Sequence, residues 1–260
     1  MSNSLFAIDA GHYIDTPGKR CLKSIDPGET REWVLNSRIA DKVQERLQGY
    51  NCSTMRVDDV TGEKEISLSK RVALANQADA DLYLSFHPNA GIHGGPGGGC
   101  VVYVAPVAQE QSIVVQKAIY ESVVAATGLR GNRANPMARA SLYVLRHTTM
   151  PAVLVEFGFM DSTTDTPIIL TDEFAEQAAC GVVSALIGLY DLKEEGDETV
   201  TYEQWKEYMD RYLAERAELP ANEWAQAGLE QAKVKGITDG TRPQSFATRQ
   251  EVALMVKVVK

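Results

Sequence analysis

The sequence predicts an α/β domain on a largely parallel but mixed, twisted six-stranded sheet flanked by helices, with a small all-helical domain at the C-terminus. Three features lead there. Over residues 1–190 short apolar, strand-like runs alternate with helix-like segments, the pattern of a sheet covered on both faces. Residues 191–199, DLKEEGDET, are acidic and nearly free of apolar side chains, as a linker is. From residue 200 to 260 no strand-like run occurs.

The elements follow in order. LFAID (5–9) reads as a strand that ends in Ala10-Gly11. Residues 31–48 carry Leu35, Ile39, Val43 and Leu47 at four-residue spacing, hence a helix, with Thr30 as its expected N-cap. CSTMRV (52–57) is a short strand, and 67–78 a helix with Leu68, Val72 and Ala75 on one face. DLYLSF (81–86) is a strand. The glycine-rich loop 91–99 follows, expected as a mobile rim over a cleft, and CVVYVA (100–105) returns as a strand. Residues 108–127 read as helix, LYVL (142–145) and AVLVEF (152–157) as strands, and 172–190 as the closing helix. In the tail, 202–217, 222–235 and 248–259 read as helices, the last with Thr248 and Glu251 as a capping box.

Composition narrows the partners. Of 260 residues, 44% are hydrophobic, which argues against disorder. The balance of 26 basic against 35 acidic residues gives −9, so nothing draws the chain to nucleic acid or anionic lipid. No apolar run reaches the roughly 18 residues needed for membrane insertion. Cys21, Cys52, Cys100 and Cys180 have no metal-knuckle spacing and read as reduced thiols. The opening MSNSLFAIDAGH lacks the basic start and long apolar core of a signal peptide. A target outside the cytoplasm would need another route of release.

Four polar residues stand out by position. His12 follows the first strand, His87 follows DLYLSF, and Glu156 lies near the end of AVLVEF. All three sit at carboxyl ends of proposed strands, where open parallel sheets place ligand sites. Glu32 opens a helix on the face shared with Asn36, Ile39 and Val43, so it points at the sheet. A carboxylate there is costly unless paired or bound to metal. Two imidazoles and one carboxylate make a catalytic zinc set with a position left for water, and Glu156 is then free as a proton shuttle. Each residue also has an ordinary reading. His12 and His87 serve equally as loop and turn residues, and Glu32 as a partner of the helix dipole. A lone Glu in an apolar strand is harder to explain otherwise.

Four stretches resemble the amidase-3 family of zinc-dependent N-acetylmuramoyl-L-alanine amidases. Ile8-Asp9-Ala10-Gly11-His12 is similar to its opening strand and first histidine, and Glu32-Trp33-Val34-Leu35-Asn36 to its E-x-x-x-N. Arg71 to Asn76 followed by Ala80 to Ala90 resembles R-x-x-x-A-N…A-D-L-x-x-S-x-H-x-N-A, and Pro151 to Met160 resembles P-A-x-L-x-E-x-G-F. The resemblance spans residues 5–190. It implies one zinc ion on His12, Glu32 and His87, Glu156 as general base, and peptidoglycan as substrate, cut between the lactyl group of N-acetylmuramic acid and L-alanine. Asn36, Asn89 and His147 are candidates for substrate contact or ligand support, and His93 for a contact from the glycine-rich loop. The loop His12-Tyr13-Ile14-Asp15-Thr16-Pro17-Gly18 departs from the family's HGGxDPG, which leaves substrate preference open.

In the tail, Asn222-Glu223-Trp224-Ala225, Gly236-Ile237-Thr238-Asp239-Gly240 and Thr248-Arg249-Gln250-Glu251 resemble one S-layer-homology motif. That implies binding to a secondary cell-wall polymer, with Tyr202, Trp205 and Trp224 as candidate contacts and core packing as their ordinary role. Self-association through these helices is a further expectation, because three short helices are marginal alone. The expected activity is a phage endolysin, released through a membrane pore. The alternatives are a recycling or autolytic amidase, a zinc peptidase or deacetylase, and, last, a non-catalytic wall-binding protein.

Overall fold

A computed structural model describes residues 3–194, 201–244 and 252. The chain forms two compact units, Met1–Asp197 and Glu198–Lys260. The first contains, in order, β1 (Ser4–Ala10), α1 (Glu32–Leu47), β2 (Cys52–Arg56), α2 (Leu68–Gln77), β3 (Leu82–Asn89), β4 (Cys100–Val104), α3 (Glu110–Thr127), β5 (Met137–Arg139), α4 (Tyr143–His147), β6 (Ala152–Phe159), α5 (Thr166–Ile169) and α6 (Asp172–Tyr190). The second contains α7 (Tyr202–Glu218) and α8 (Glu223–Val234).

The strands form a six-stranded sheet of order β2-β1-β3-β6-β4-β5. β1, β2, β3 and β6 run parallel; β4 runs antiparallel to β6, and β5 parallel to β4. β1, β3 and β6 are buried on both faces, which is why their apolar runs do not alternate with polar residues. Leu35, Ile39, Val43 and Leu47 of α1 pack in the same core as Val182 and Leu186 of α6. The ends of the helices follow local chemistry. Ser67 accepts from Lys70 N at the start of α2 and Thr171 from Phe174 N at the start of α6. Gly128 takes φ 69° to stop α3, a conformation glycine adopts without penalty.

Three expectations need correction. The run 142–145 is not a strand but the start of α4, with only Val144 and Leu145 facing the core. A short apolar run cannot be assigned by periodicity alone, and here Thr148 closes the turn through Oγ1 to Val144 O. The sixth strand is instead the three-residue edge β5, too short to show any period. Thr30 does not cap α1: the N-cap is Arg31, without a side-chain bond, and Thr30 instead takes Asp26 Oδ2 on its amide. Nor does loop 91–99 hang free. Gly91 N and His93 N both donate to Asp161 Oδ2, Gly97 N to Thr164 Oγ1, Gly98 N to Asn132 Oδ1 and Gly99 N to Asp165 Oδ2. A Cβ on Gly98 or Gly99 would fall 2.2–2.3 Å from Asp165 or Arg130, so glycine is needed for this close approach.

Past Tyr190 the chain stays on the first unit for a few residues. Leu192 is buried and Lys193 N donates to Asn51 Oδ1. In the second unit, Thr201 and Gln204 form a reciprocal capping box at the start of α7. Neither α7 nor α8 contains a buried residue, and Tyr202, Trp205 and Trp224 are all exposed, Trp224 at 86%. The expected helix 248–259, with Thr248 and Glu251, lies outside the described residues apart from Val252. Among the described residues no helix is long and apolar enough to cross a membrane.

One buried ion pair fixes the end of β1. The Arg71 side chain, 2% exposed, donates from one amino group to Asp9 Oδ1 (2.5 Å) and Ala10 O (2.8 Å), and from the other to His12 O (2.5 Å). Asp9 Oδ2 accepts from Ser85 Oγ on β3. Burial alone would raise the Asp9 carboxyl, but Arg71 outweighs it and holds it below the usual carboxylate range. Arg71→Met should therefore leave a buried, uncompensated charge and cost about 3–5 kcal/mol, read as a lower urea midpoint. An unchanged midpoint would contradict that role.

Candidate metal centre

Three elements bring the site together at the carboxyl edge of the parallel strands. His12 lies two residues past β1 with φ 69°, unusual for a residue with a Cβ. Gly11 N donates to Phe86 O at 3.0 Å, joining the chain before His12 to β3. Glu32 is the first residue of α1 and is fully buried. Its amide donates to Lys19 O at 3.0 Å, so the loop after His12 is tied to the helix start. His87 sits in β3 directly opposite Glu156 in β6. A Cβ on Gly11 would lie 2.0 Å from His87 Cε1, so only glycine lets the imidazole into this position.

Glu32 Oε1 is the meeting point. It lies 3.1 Å from His12 Nε2 and 2.9 Å from His87 Nδ1. The two rings stand edge to face, 4.9 Å between centroids. Burial raises the Glu32 carboxyl, yet the hydrogen bonds from His12 and His87 outweigh it and hold it far below its ordinary value. His87 is pushed up, because its bond to Glu32 outweighs burial; for His12 burial wins, and it is pushed down. Across the strand pair, burial lifts Glu156 to about 7.

The donor set fits a divalent cation. One ligand atom from each of His12, Glu32 and His87 lies within 4.8 Å of the others, the group among the described residues that could hold such an ion. Neighbouring donors on a tetrahedral zinc, each about 2.0–2.2 Å from it, stand roughly 3.3–3.6 Å apart. Two more observations agree: Glu156 Oε2 is buried without a hydrogen-bond partner, and Glu32 Oε2 has no hydrogen bond and only the charge of Lys19 Nζ, 3.4 Å away. Such atoms are costly in an interior unless something of opposite charge or a proton partner comes to them. A cleft of about 380 Å³ at the site is lined by His12, His87, Glu156 and Lys19 together with Ile66, Leu68, Leu142 and Tyr143.

The remaining candidates do not line this cleft. Asn36 is buried and donates from Nδ2 to Gly11 O at 3.0 Å, which braces the turn that carries His12. Asn89 Oδ1 accepts from Ala90 N, closing its own turn beyond a register shift in β3. His147 was expected at a strand end beside the site, but α4 carries it elsewhere. It stacks on Tyr143 and lines a separate cleft with Ala105, Gln109 and Ser112. His93, exposed in the tied loop, takes φ 55°. Two further residues, without a role in the sequence reading, meet the centre. Arg71 supports the His12 carbonyl, and Lys19 approaches Glu32. A buried Arg within an apolar helix face was the available signal for the first; nothing local marks the second.

The fold and the triad together define an α/β protein with a two-histidine, one-carboxylate candidate metal site at its sheet edge. Residues 6–187 match the amidase-3 family model, N-acetylmuramoyl-L-alanine amidase, and the chain belongs to that family. It is 30% identical over 175 residues to the sporulation-specific N-acetylmuramoyl-L-alanine amidase of Bacillus subtilis (strain 168), covering 65% of each chain. It is 28% identical over 195 residues to the endolysin of Bacillus phage SPP1, covering 74% of this chain and 68% of that one. Among solved structures, the N-acetylmuramoyl-L-alanine amidase from Clostridium difficile 630 shares the fold, with a TM-score of 0.66 at 24% identity, over 74% of this chain and 98% of that one.

Gly11→Ala should leave the sheet intact and displace the His87 ring. Zinc affinity, read by competition with a chromophoric chelator, should fall roughly 10–100-fold, the scale of a disturbed ligand support. Wild-type affinity in this variant would contradict the close approach.

Proposed function

We propose that the chain hydrolyses peptidoglycan at the amide between the lactyl group of N-acetylmuramic acid and L-alanine of the peptide stem, as a zinc enzyme. The observation that carries this reading is the pairing of a two-histidine, one-glutamate cluster with a buried, unpartnered Glu156 Oε2 across the β3–β6 ladder. Family membership over residues 6–187 supports the substrate.

In this reading His12, Glu32 and His87 hold the ion. Zinc, when bound, supplies Lewis acidity, lowering the pKa of a water to about 7 and polarising an amide carbonyl. Glu156 does the proton work. Its Oε2 accepts the proton of the attacking water and returns it to the departing L-alanine nitrogen, so the amine leaves neutral. Burial between β3 and β4 gives this carboxyl a proton affinity suited to both steps. Ile66, Leu68, Leu142 and Tyr143 line the same cleft and limit water around the reacting amide.

We further propose that the enzyme acts as an endolysin, with residues 200–260 as a wall-binding appendage. Two things support this: the likeness to the SPP1 endolysin over 74% of the chain, and the exposed Tyr202, Trp205 and Trp224, whose flat faces suit sugar stacking. Release through a membrane pore made by another protein belongs to the same proposal.

Three measurements follow. Mass spectrometry of a sacculus digest should give free lactyl carboxylates and new L-alanine amines; new D-amino termini would instead indicate a peptidase. Glu156→Gln should keep one zinc per chain and lose roughly 10²–10⁴-fold in kcat, and undiminished turnover would reject its role. Purified full-length chain added from outside should lyse whole cells, whereas cleavage confined to soluble muropeptides would favour a recycling enzyme over an endolysin.

A further inference from the structure

The two oxygens of Glu32 keep different company. Oε1 meets both imidazoles, whereas Oε2 faces the Lys19 ammonium, with Nζ 3.4 Å away. Oε2 is buried and has no aligned hydrogen bond, so its contact with Lys19 is one of charge. Lys19 is also fixed to this place by its main chain, because its carbonyl accepts the Glu32 amide at 3.0 Å. Its side chain is partly exposed and lines the same cleft as His12, His87 and Glu156.

We propose that Lys19 is a positioning residue for the metal: its ammonium occupies Glu32 Oε2, limits the carboxylate to coordination through Oε1 alone, and so keeps a position on the ion open. The inference rests on the metal reading of the triad and goes further, because it concerns how one ligand binds. A carboxylate can grip a cation with one oxygen or two. A catalytic zinc needs three protein donors and a free place for water or substrate. A two-oxygen Glu32 would take up that place. Lys19 also puts a positive charge beside a dication, which weakens metal binding modestly, since the ammonium is partly solvated. The device exchanges some affinity for an open site.

Cobalt(II) in the full-length chain reads this directly, because four-coordinate cobalt absorbs visible light far more strongly than five- or six-coordinate cobalt. Wild type should bind one Co²⁺ with an intense band. Lys19→Met should bind one Co²⁺ a few-fold more tightly, with a weaker band, and kcat should fall more than KM changes. Lys19→Arg, which keeps the cation, should retain the intense band. Should Lys19→Met not fold, Lys19→Leu, which likewise offers Oε2 no donor, serves the same comparison. A wild-type band and affinity in the uncharged variant would overturn the proposal and leave the metal site standing, and so would loss of cobalt from a folded variant. No cobalt bound by wild type would remove the metal reading itself, and this inference with it.

Discussion

The buried carboxylate of Glu32 is the constraint around which the sheet edge is arranged. Taking such a charge out of water costs several kcal/mol unless partners of opposite sign meet it. Glu32 is fully buried and is met by His12 and His87 on one oxygen and by Lys19 on the other. Those partners come from the end of β1, from β3 and from the loop between β1 and α1. The carboxylate thus ties together segments from His12 to His87, and its position decides where a cation can be held.

The chain around the triad leaves little freedom to its side chains. His12 has left-handed backbone, and its carbonyl is gripped by Arg71, itself neutralised by Asp9. Gly11 gives up a side chain so that the His87 ring can lie against the backbone, and Asn36 holds the Gly11 carbonyl. Asp58 adds a bond from Ala10 N while paired with Arg56, whose guanidinium also meets Asp41. These buried polar groups serve placement. Preorganised ligands lose little on binding an ion, and small displacements in such sites are expensive.

Much of this was legible in the residues. Long or strongly apolar segments announced themselves: α6 falls on 172–190 as expected, and the buried strands β1, β3 and β6 read as mostly apolar runs without alternation. His12, Glu32 and His87 were marked by their places after strands and at a helix start, and the structure brings them together. What failed was short or set by distant contacts. LYVL turned into α4 because four apolar residues carry no period, and β5 is held by pairing with β4 rather than by its own sequence. Thr30 is not the cap because the helix starts one residue later, after Arg31, and Asp26 accepts from the Thr30 amide in the preceding turn. The glycine-rich loop looked free because its anchors, Asp161, Thr164 and Asp165, lie far along the chain. Lys19 was invisible for the same reason: only the folded loop places it against Glu32.

The central claim is that Glu32 is buried in order to hold a cation with His12 and His87. Anomalous diffraction at the zinc edge from crystals of the zinc-loaded, full-length protein tests it most directly. The account predicts a single strong peak bonded to one nitrogen of each imidazole and to a Glu32 oxygen, about 2.0–2.2 Å from each. A peak on other side chains, or Glu32 still closed onto both imidazoles in fully loaded crystals, would contradict it.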